Sequence, residues 1–190
     1  KRNGGAGAAI FKQVTLTNCI VYNNENTSTN TGKELRGGAV YCDFGTLVNC
    51  YVIGNRFGGS GQYTAYGGGV YMRDGLAYNC VIYQNTTTAQ YGDGAGIFLD
   101  GSNIFFNNTI ANNTANINYR GNGGICTWNN GSTVLTIYNC ISVDNVGHVS
   151  VSGNKDIASN GGQCKCYHSI FNSTGIYSNM SFENCEAISN

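Results

Sequence analysis

Apolar and polar residues alternate along this chain in short stretches. The clearest runs from residue 135 to residue 143. There Leu135, Ile137, Asn139, Ile141 and Val143 take turns with Thr136, Tyr138, Cys140 and Ser142. Elsewhere the apolar runs are only a few residues long, β-branched and aromatic, and bounded by Gly, Asn or Asp. A period of two with such boundaries predicts β-strands, and no stretch holds the 3.6-residue period of a helix.

The strands recur. Asn-Cys pairs stand at Asn18-Cys19, Asn49-Cys50, Asn79-Cys80, Asn139-Cys140 and Asn184-Cys185, with Asn108-Thr109 and His168-Ser169 filling two gaps. Up to Ser169 the steps between them run from 29 to 31 residues, and the last pair breaks the spacing. Upstream of each pair a small residue leads two apolar ones: Ala9-Ile10-Phe11, Ala39-Val40-Tyr41, Gly69-Val70-Tyr71 and Gly96-Ile97-Phe98. Downstream comes an apolar residue, two others, then Asn: Ile20-x-x-Asn23, Val52-x-x-Asn55, Ile82-x-x-Asn85, Ile110-x-x-Asn113, and Asn145 in the next copy.

One such unit cannot bury its own apolar face, so the units must stack. The reading is an all-β, right-handed parallel β-helix (a solenoid) of about six coils of roughly 30 residues, its hand following the crossover rule. Residues 1–190 form a single β-helix domain, expected to be a segment of a longer surface protein. The segments 25–36, 56–66, 86–93, 114–122 and 146–160 vary in length at one point of the repeat, and are expected to project from one side.

Composition narrows the function. Ten Lys and Arg balance ten Asp and Glu, so no basic surface exists to hold nucleic acid. No apolar run approaches the roughly 18–20 residues that cross a bilayer, which predicts no direct membrane span. The 28 Gly, 28 Asn and absence of Pro suit stacked turns, since Pro would remove ladder donors.

Four recurrent positions are candidates for chemistry. Asn18, Asn49, Asn79, Asn108 and Asn139 are expected to form a structural ladder of side-chain amides from coil to coil. Cys19, Cys50, Cys80 and Cys140 share one position and should stack as buried thiols; disulfides between neighbouring coils, or a metal, are the alternatives. Asp43, Asp74 and Asp100 recur at one turn. Arg73 would neutralise them there, or Ca²⁺ would bridge them. Phe11, Tyr41, Tyr71 and Phe98 fall on the strand face opposite Ile10, Val40, Val70 and Ile97. They are expected to form an outward aromatic column, either covered by loops or serving with Tyr63, Tyr66, Tyr91, Tyr119 and Phe57 as a sugar-stacking platform.

Gly37-Gly38-Ala39-Val40, Gly67-Gly68-Gly69-Val70 and Phe105-Phe106-Asn107-Asn108 carry a family likeness. The chain resembles the pectate-lyase-like parallel β-helix superfamily. It is more closely similar to the Gly-Gly-Ala-Ile and Phe-x-x-Asn repeats of chlamydial polymorphic outer membrane proteins, and to surface β-helices of the Bacteroidetes. The resemblance implies an extracellular or bacterial cell-surface module. Its partner would be a polysaccharide or a cell-surface protein, and further association would run through uncapped coil ends. No lyase, polygalacturonase or esterase motif stands in the chain, so the expectation is non-catalytic adhesion or glycan contact. The alternatives are a calcium-dependent polysaccharide lyase, with Arg73 as base among Asp43, Asp74 and Asp100, and a structural stalk.

Overall fold

The computed structural model describes residues 7–27, 34–58, 64–89, 91–115, 121–128, 134–147, 156–160, 163–172 and 180–188. Within them lie 27 short strands and no helix, and every strand pairing is parallel. Neighbouring strands in each sheet come from successive turns of the chain, which makes the protein a parallel β-solenoid.

Three sheets form the walls. The first wall stacks six strands, from Ala8–Ile10 to Ile157–Asn160. The second stacks seven, from Thr15–Thr17 to Met180–Glu183, and the third seven, from Ile20–Tyr22 to Glu186–Ile188. Four turns are complete, each adding a fourth-wall strand: Glu25–Thr27, Arg56–Gly58, Thr86–Thr87 and Thr114–Ala115. Two three-walled turns follow, then a last one with second- and third-wall strands, among the described residues.

Inside the walls runs one column of apolar side chains. Val40, Val70, Ile97, Ile125 and Ile157 face Leu47, Ala77, Phe105 and Ile137, with Val52, Ile82 and Ile110 on the third side. Strand alternation makes this possible, because every second residue points inward. At about 25 cal/mol per Å² of apolar surface buried, such a column is the main favourable term of folding.

A single residue in the left-handed conformation turns each corner. Between the second and third walls these are Asn18, Asn49, Asn79, Asn107, Asn139, His168 and Asn184. Between the third and fourth they are Asn23, Gly54, Gln84, Asn112 and Asp144. Asn tolerates this region better than other L-residues, because its short polar side chain can bond locally. The pairing also corrects two alignments. Asn107 takes the corner and Asn108 the Cys position, and Asn184-Cys185 continues the column, since His168 N–H bonds Glu183 O and Glu186 N–H bonds Ser169 O.

The variable segments are not simple projections. The first three open with the fourth-wall strands and close with a fifth stack, Glu34–Arg36, Thr64–Tyr66 and Tyr91–Asp93. Leu35 and Ala65 of this stack bury Phe57 and Ala89 in a small second core. Phe57 is therefore a packing residue.

Candidate functional site

The expected aromatic platform on the first wall is buried. Tyr41 (6% exposed), Tyr71 (0%) and Phe98 (2%) do point away from the main core, but the fifth stack covers them. Tyr41 and Tyr71 stack at 5.3 Å and 6°, and Tyr71 and Phe98 at 5.8 Å and 5°. Tyr66, also buried, caps Phe98 at 4.5 Å. Arg36 lies 4.8 Å over the Tyr71 ring and donates to its hydroxyl. Tyr71 in turn donates to Asp100 Oδ2 at 2.5 Å. Burial, then the Asp100 carboxylate, push the Tyr71 hydroxyl pKa up, so it stays a neutral donor. Phe11, at the edge of the column, is exposed and tilted against Tyr41. Tyr63, Tyr119 and the side chain of Tyr91 lie outside the described residues.

The acidic turn also differs from expectation. Register places Asp43, Arg73 and Asp100 in one row, and sets Asp74 one position later beside Phe44 and Gly101. Arg73 grips Asp43 with two bonds, Nε to Oδ1 at 2.6 Å and a terminal nitrogen to Oδ2 at 2.7 Å. The Asp43 hydrogen bond raises the Arg73 pKa, the reverse of what a general base requires. Asp74 accepts the Ser102 N–H at 2.8 Å instead. The three carboxylates are thus held by different partners. Among the described residues, no group of three or more His, Cys, Asp or Glu is placed to hold a metal ion.

Two asparagine columns exist, and the buried one is not the one expected. Asn18, Asn49, Asn79 and Asn139 are exposed corner residues, where only Asn49 Nδ2 to Asn18 Oδ1, at 3.1 Å, joins successive amides. The continuous ladder is Asn24, Asn55, Asn85, Asn113 and Asn145. Each rung's backbone N–H and Nδ2 both donate to Oδ1 of the next rung, at 2.9–3.0 Å. From Asn55 upward, Nδ2 also reaches a carbonyl of the turn below, as from Asn85 to Val52 O at 2.8 Å. These buried amides satisfy backbone at the third–fourth corner, which leaves them no capacity for a ligand.

Along the cysteine column, Cys50, Cys80 and Cys140 are buried and Cys19 is partly so. All nine thiols are free. Each thiol in this column donates to the carbonyl two residues back, Cys50 to Val48 O at 3.1 Å for example. Asn108 replaces a cysteine here, and its Oδ1 accepts the Cys80 N–H at 2.8 Å. Cys164 and Cys166, two residues apart on one strand, place their sulfurs 3.7 Å apart inside the core.

The corner joining the second and third walls is open to solvent, as is the first–second corner at Phe11, Val14 and Phe44. The last outward position of the second wall reads Val48, Tyr78, Phe106, Tyr138 and Tyr167 over successive turns. Tyr78 and Phe106 stack at 4.9 Å and 4°. Tyr138 is 42% exposed and meets Tyr167 at 6.1 Å and the His168 ring at 5.2 Å. Beside them run the exposed amides of Asn79, Asn107 and Asn139. Beyond the amides, Ile20, Tyr51 and Ile141 of the third wall are exposed as well. The repeat motifs did not pick out this aromatic column, although its members stand immediately before the corner residue: Tyr78-Asn79, Phe106-Asn107, Tyr138-Asn139 and Tyr167-His168.

Chemically, this surface offers apolar area, the phenol hydroxyls of Tyr78, Tyr138 and Tyr167, and one corner amide on each of the first five turns, which repeat at about 4.8 Å, the spacing of paired strands. It holds no nucleophile poised beside a base. No family model, no curated protein and no solved structure matches this chain, and its architecture is that of a parallel β-solenoid.

Proposed function

We propose that this chain is a non-catalytic contact module of an extracellular or bacterial cell-surface protein, which binds a glycan chain along the corner of the second and third walls. One observation carries the reading: the exposed or half-exposed column Tyr78, Phe106, Tyr138 and Tyr167 beside the amide column Asn79, Asn107 and Asn139. Contiguous apolar surface edged by hydrogen-bonding groups marks a contact site rather than an ordinary solvated face. The rigid repeat fixes those groups before the partner arrives, which lowers the ordering cost of binding. The surface location rests on the resemblance of the coil motifs to those of surface β-helices.

A lyase is the weaker reading. Its candidate base Arg73 is engaged by Asp43, and Asp74 and Asp100 are held by other donors. A glycan array tests the proposal, with Tyr78→Ala combined with Tyr138→Ala as the control protein. Binding by the native chain and loss in the variant supports it. Equal binding by both proteins, or calcium-dependent release of unsaturated uronates that Arg73→Ala abolishes, contradicts it.

A further inference from the structure

Charge is distributed unevenly over the solenoid, and the distribution bears on what the corner surface can hold. The outward positions of the second wall are Thr15, Thr17, Thr46, Val48, Leu76, Tyr78, Ile104, Phe106, Thr136 and Tyr138 over the first five turns. Those of the third wall run through Ile20, Tyr22, Tyr51, Ile53, Val81, Tyr83, Thr109, Ala111, Ile141 and Val143. With the asparagine corner between them, these two faces carry no charged side chain over five turns, a length of about 20 Å at the strand spacing. Over those five turns the described charges lie on other columns, with Asp144 at the corner that leaves the third wall. Asp43, Arg73 and Asp100 close the first wall, Glu25 and Arg56 pair on the fourth, and Glu34 and Arg36 pair on the fifth stack. On the second wall's outer face the first charge is Lys165, in the sixth turn.

Most of the exposed large apolar side chains fall on the same two faces: Ile20, Tyr22, Tyr51, Ile104, Val134, Tyr138 and Ile141. An acidic polysaccharide needs Lys or Arg to offset the desolvation of its carboxylates and to supply charge-assisted hydrogen bonds. Over the first five turns the two faces supply none, and Lys165 stands beside only the sixth-turn Tyr167. Phenol hydroxyls and carboxamides both donate and accept, as sugar hydroxyls do. Tyr78 and Phe106 stack on each other's faces, so these turns present ring edges, with phenol hydroxyls at Tyr78 and Tyr138.

We infer that the ligand of this corner is a neutral, extended polysaccharide, lying along the solenoid axis with its hydroxyls on the Asn and Tyr columns. This rests on the contact reading above and specifies its ligand class. Apolar C–H surface of the sugar ring covers Leu76, Ile104 and the third-wall side chains, and the uncharged face matches an uncharged chain.

The test uses the 190-residue chain in affinity electrophoresis and pull-down against cellulose, chitin and xylan as neutral probes, with polygalacturonate and alginate as acidic ones. Asn79→Gly with Asn107→Gly removes two amides while keeping the left-handed corners that Gly accepts, and Tyr78→Ala with Tyr138→Ala trims the column. Retention on at least one neutral probe, none on the acidic probes, and about tenfold weaker retention in both variants is the expected result. Retention on the acidic probes, weakened by salt, overturns the neutral class and leaves the contact reading standing. Neutral retention unchanged in correctly melting variants overturns the assignment of the corner. Retention on no polysaccharide overturns both.

Discussion

The carboxylate of Asp156 accepts both the backbone N–H of Asn145, at 3.0 Å, and its side-chain amide, at 2.8 Å. Asp156 is fully buried and ends a ladder in which every amide points the same way, from Asn24 up to Asn145. It reaches this place from the first wall's entry position, where its carbonyl accepts Ile125 N–H just as Gly124, Gly96 and Gly69 serve the turns below. In those turns the entry residue is small, and the Asn amide fills the space beside it.

Breaking the ladder should cost much more than altering the exposed corner. Asn113→Ala strands the buried Asn85 N–H and removes one partner each from Asn85 Nδ2, which keeps Val52 O, and from the Ile82 carbonyl, for a loss of about 2–4 kcal/mol. Asn79→Gly keeps a left-handed corner and should change stability by less than about 1 kcal/mol. Urea unfolding of the two variants compares them, and similar losses would refute the distinction between the columns.

The glycine before the third first-wall strand should resist even one added methyl, although Ala39 fills the same place one turn below. A Cβ on Gly69 would stand 2.9 Å from Asn85 Cγ and Nδ2 and 2.8 Å from Gly96 O. Gly69→Ala is expected to destabilise by about 1–3 kcal/mol through overpacking. A melting temperature equal to that of the native chain would show that the amide can move aside.

Burial raises the thiol pKa values of Cys42 and Cys140 to about 11 and of Cys80 to about 12. The folded state therefore holds these protons more tightly than the unfolded chain, whose thiols titrate near 9. The stabilisation is fully present below about pH 9 and is lost as pH rises towards 11–12. Melting temperature should fall over that window. At pH 8 the buried thiols should react with a thiol reagent only on unfolding. Rapid stoichiometric labelling of the native chain, or a stability gain from reductant-sensitive bridges, would argue against the buried free thiols.

Arg73 and Asp43 form a half-exposed ion pair, so Arg73→Ala should cost no more than about 1 kcal/mol. Added calcium should leave the melting temperature unchanged, because Asp43, Asp74 and Asp100 are each held by a different donor. A calcium-dependent rise that Asp43→Asn abolishes would restore the metal reading.

Much of the architecture was legible in the sequence because stacking forces equivalent residues into equivalent places. The Val40, Val70 and Ile97 column and the Cys column both sit where the repeat puts them. The asparagines misled for a physical reason. Two Asn columns share one period, and only their phase against the strand alternation separates the exposed Asn79 from the buried Asn85. The insertion of Asn107-Asn108 in place of an Asn-Cys pair then shifted the alignment by one. Tyr41, Tyr71 and Phe98 do point outward, as strand parity dictates. Their cover comes from Arg36 and Tyr66, in strands too short and too polar to stand out within the variable segments.

In the proposed function the second–third corner contacts the glycan, while the first-wall aromatics only hold the fold. The most direct measurement is polysaccharide retention and melting temperature on two double variants, Tyr78→Ala with Tyr138→Ala and Tyr71→Ala with Phe98→Ala. Lost retention with a melting temperature near the native value is expected in the first, and a large fall in melting temperature in the second. Full retention in the first, with retention lost and melting unchanged in the second, would contradict that function.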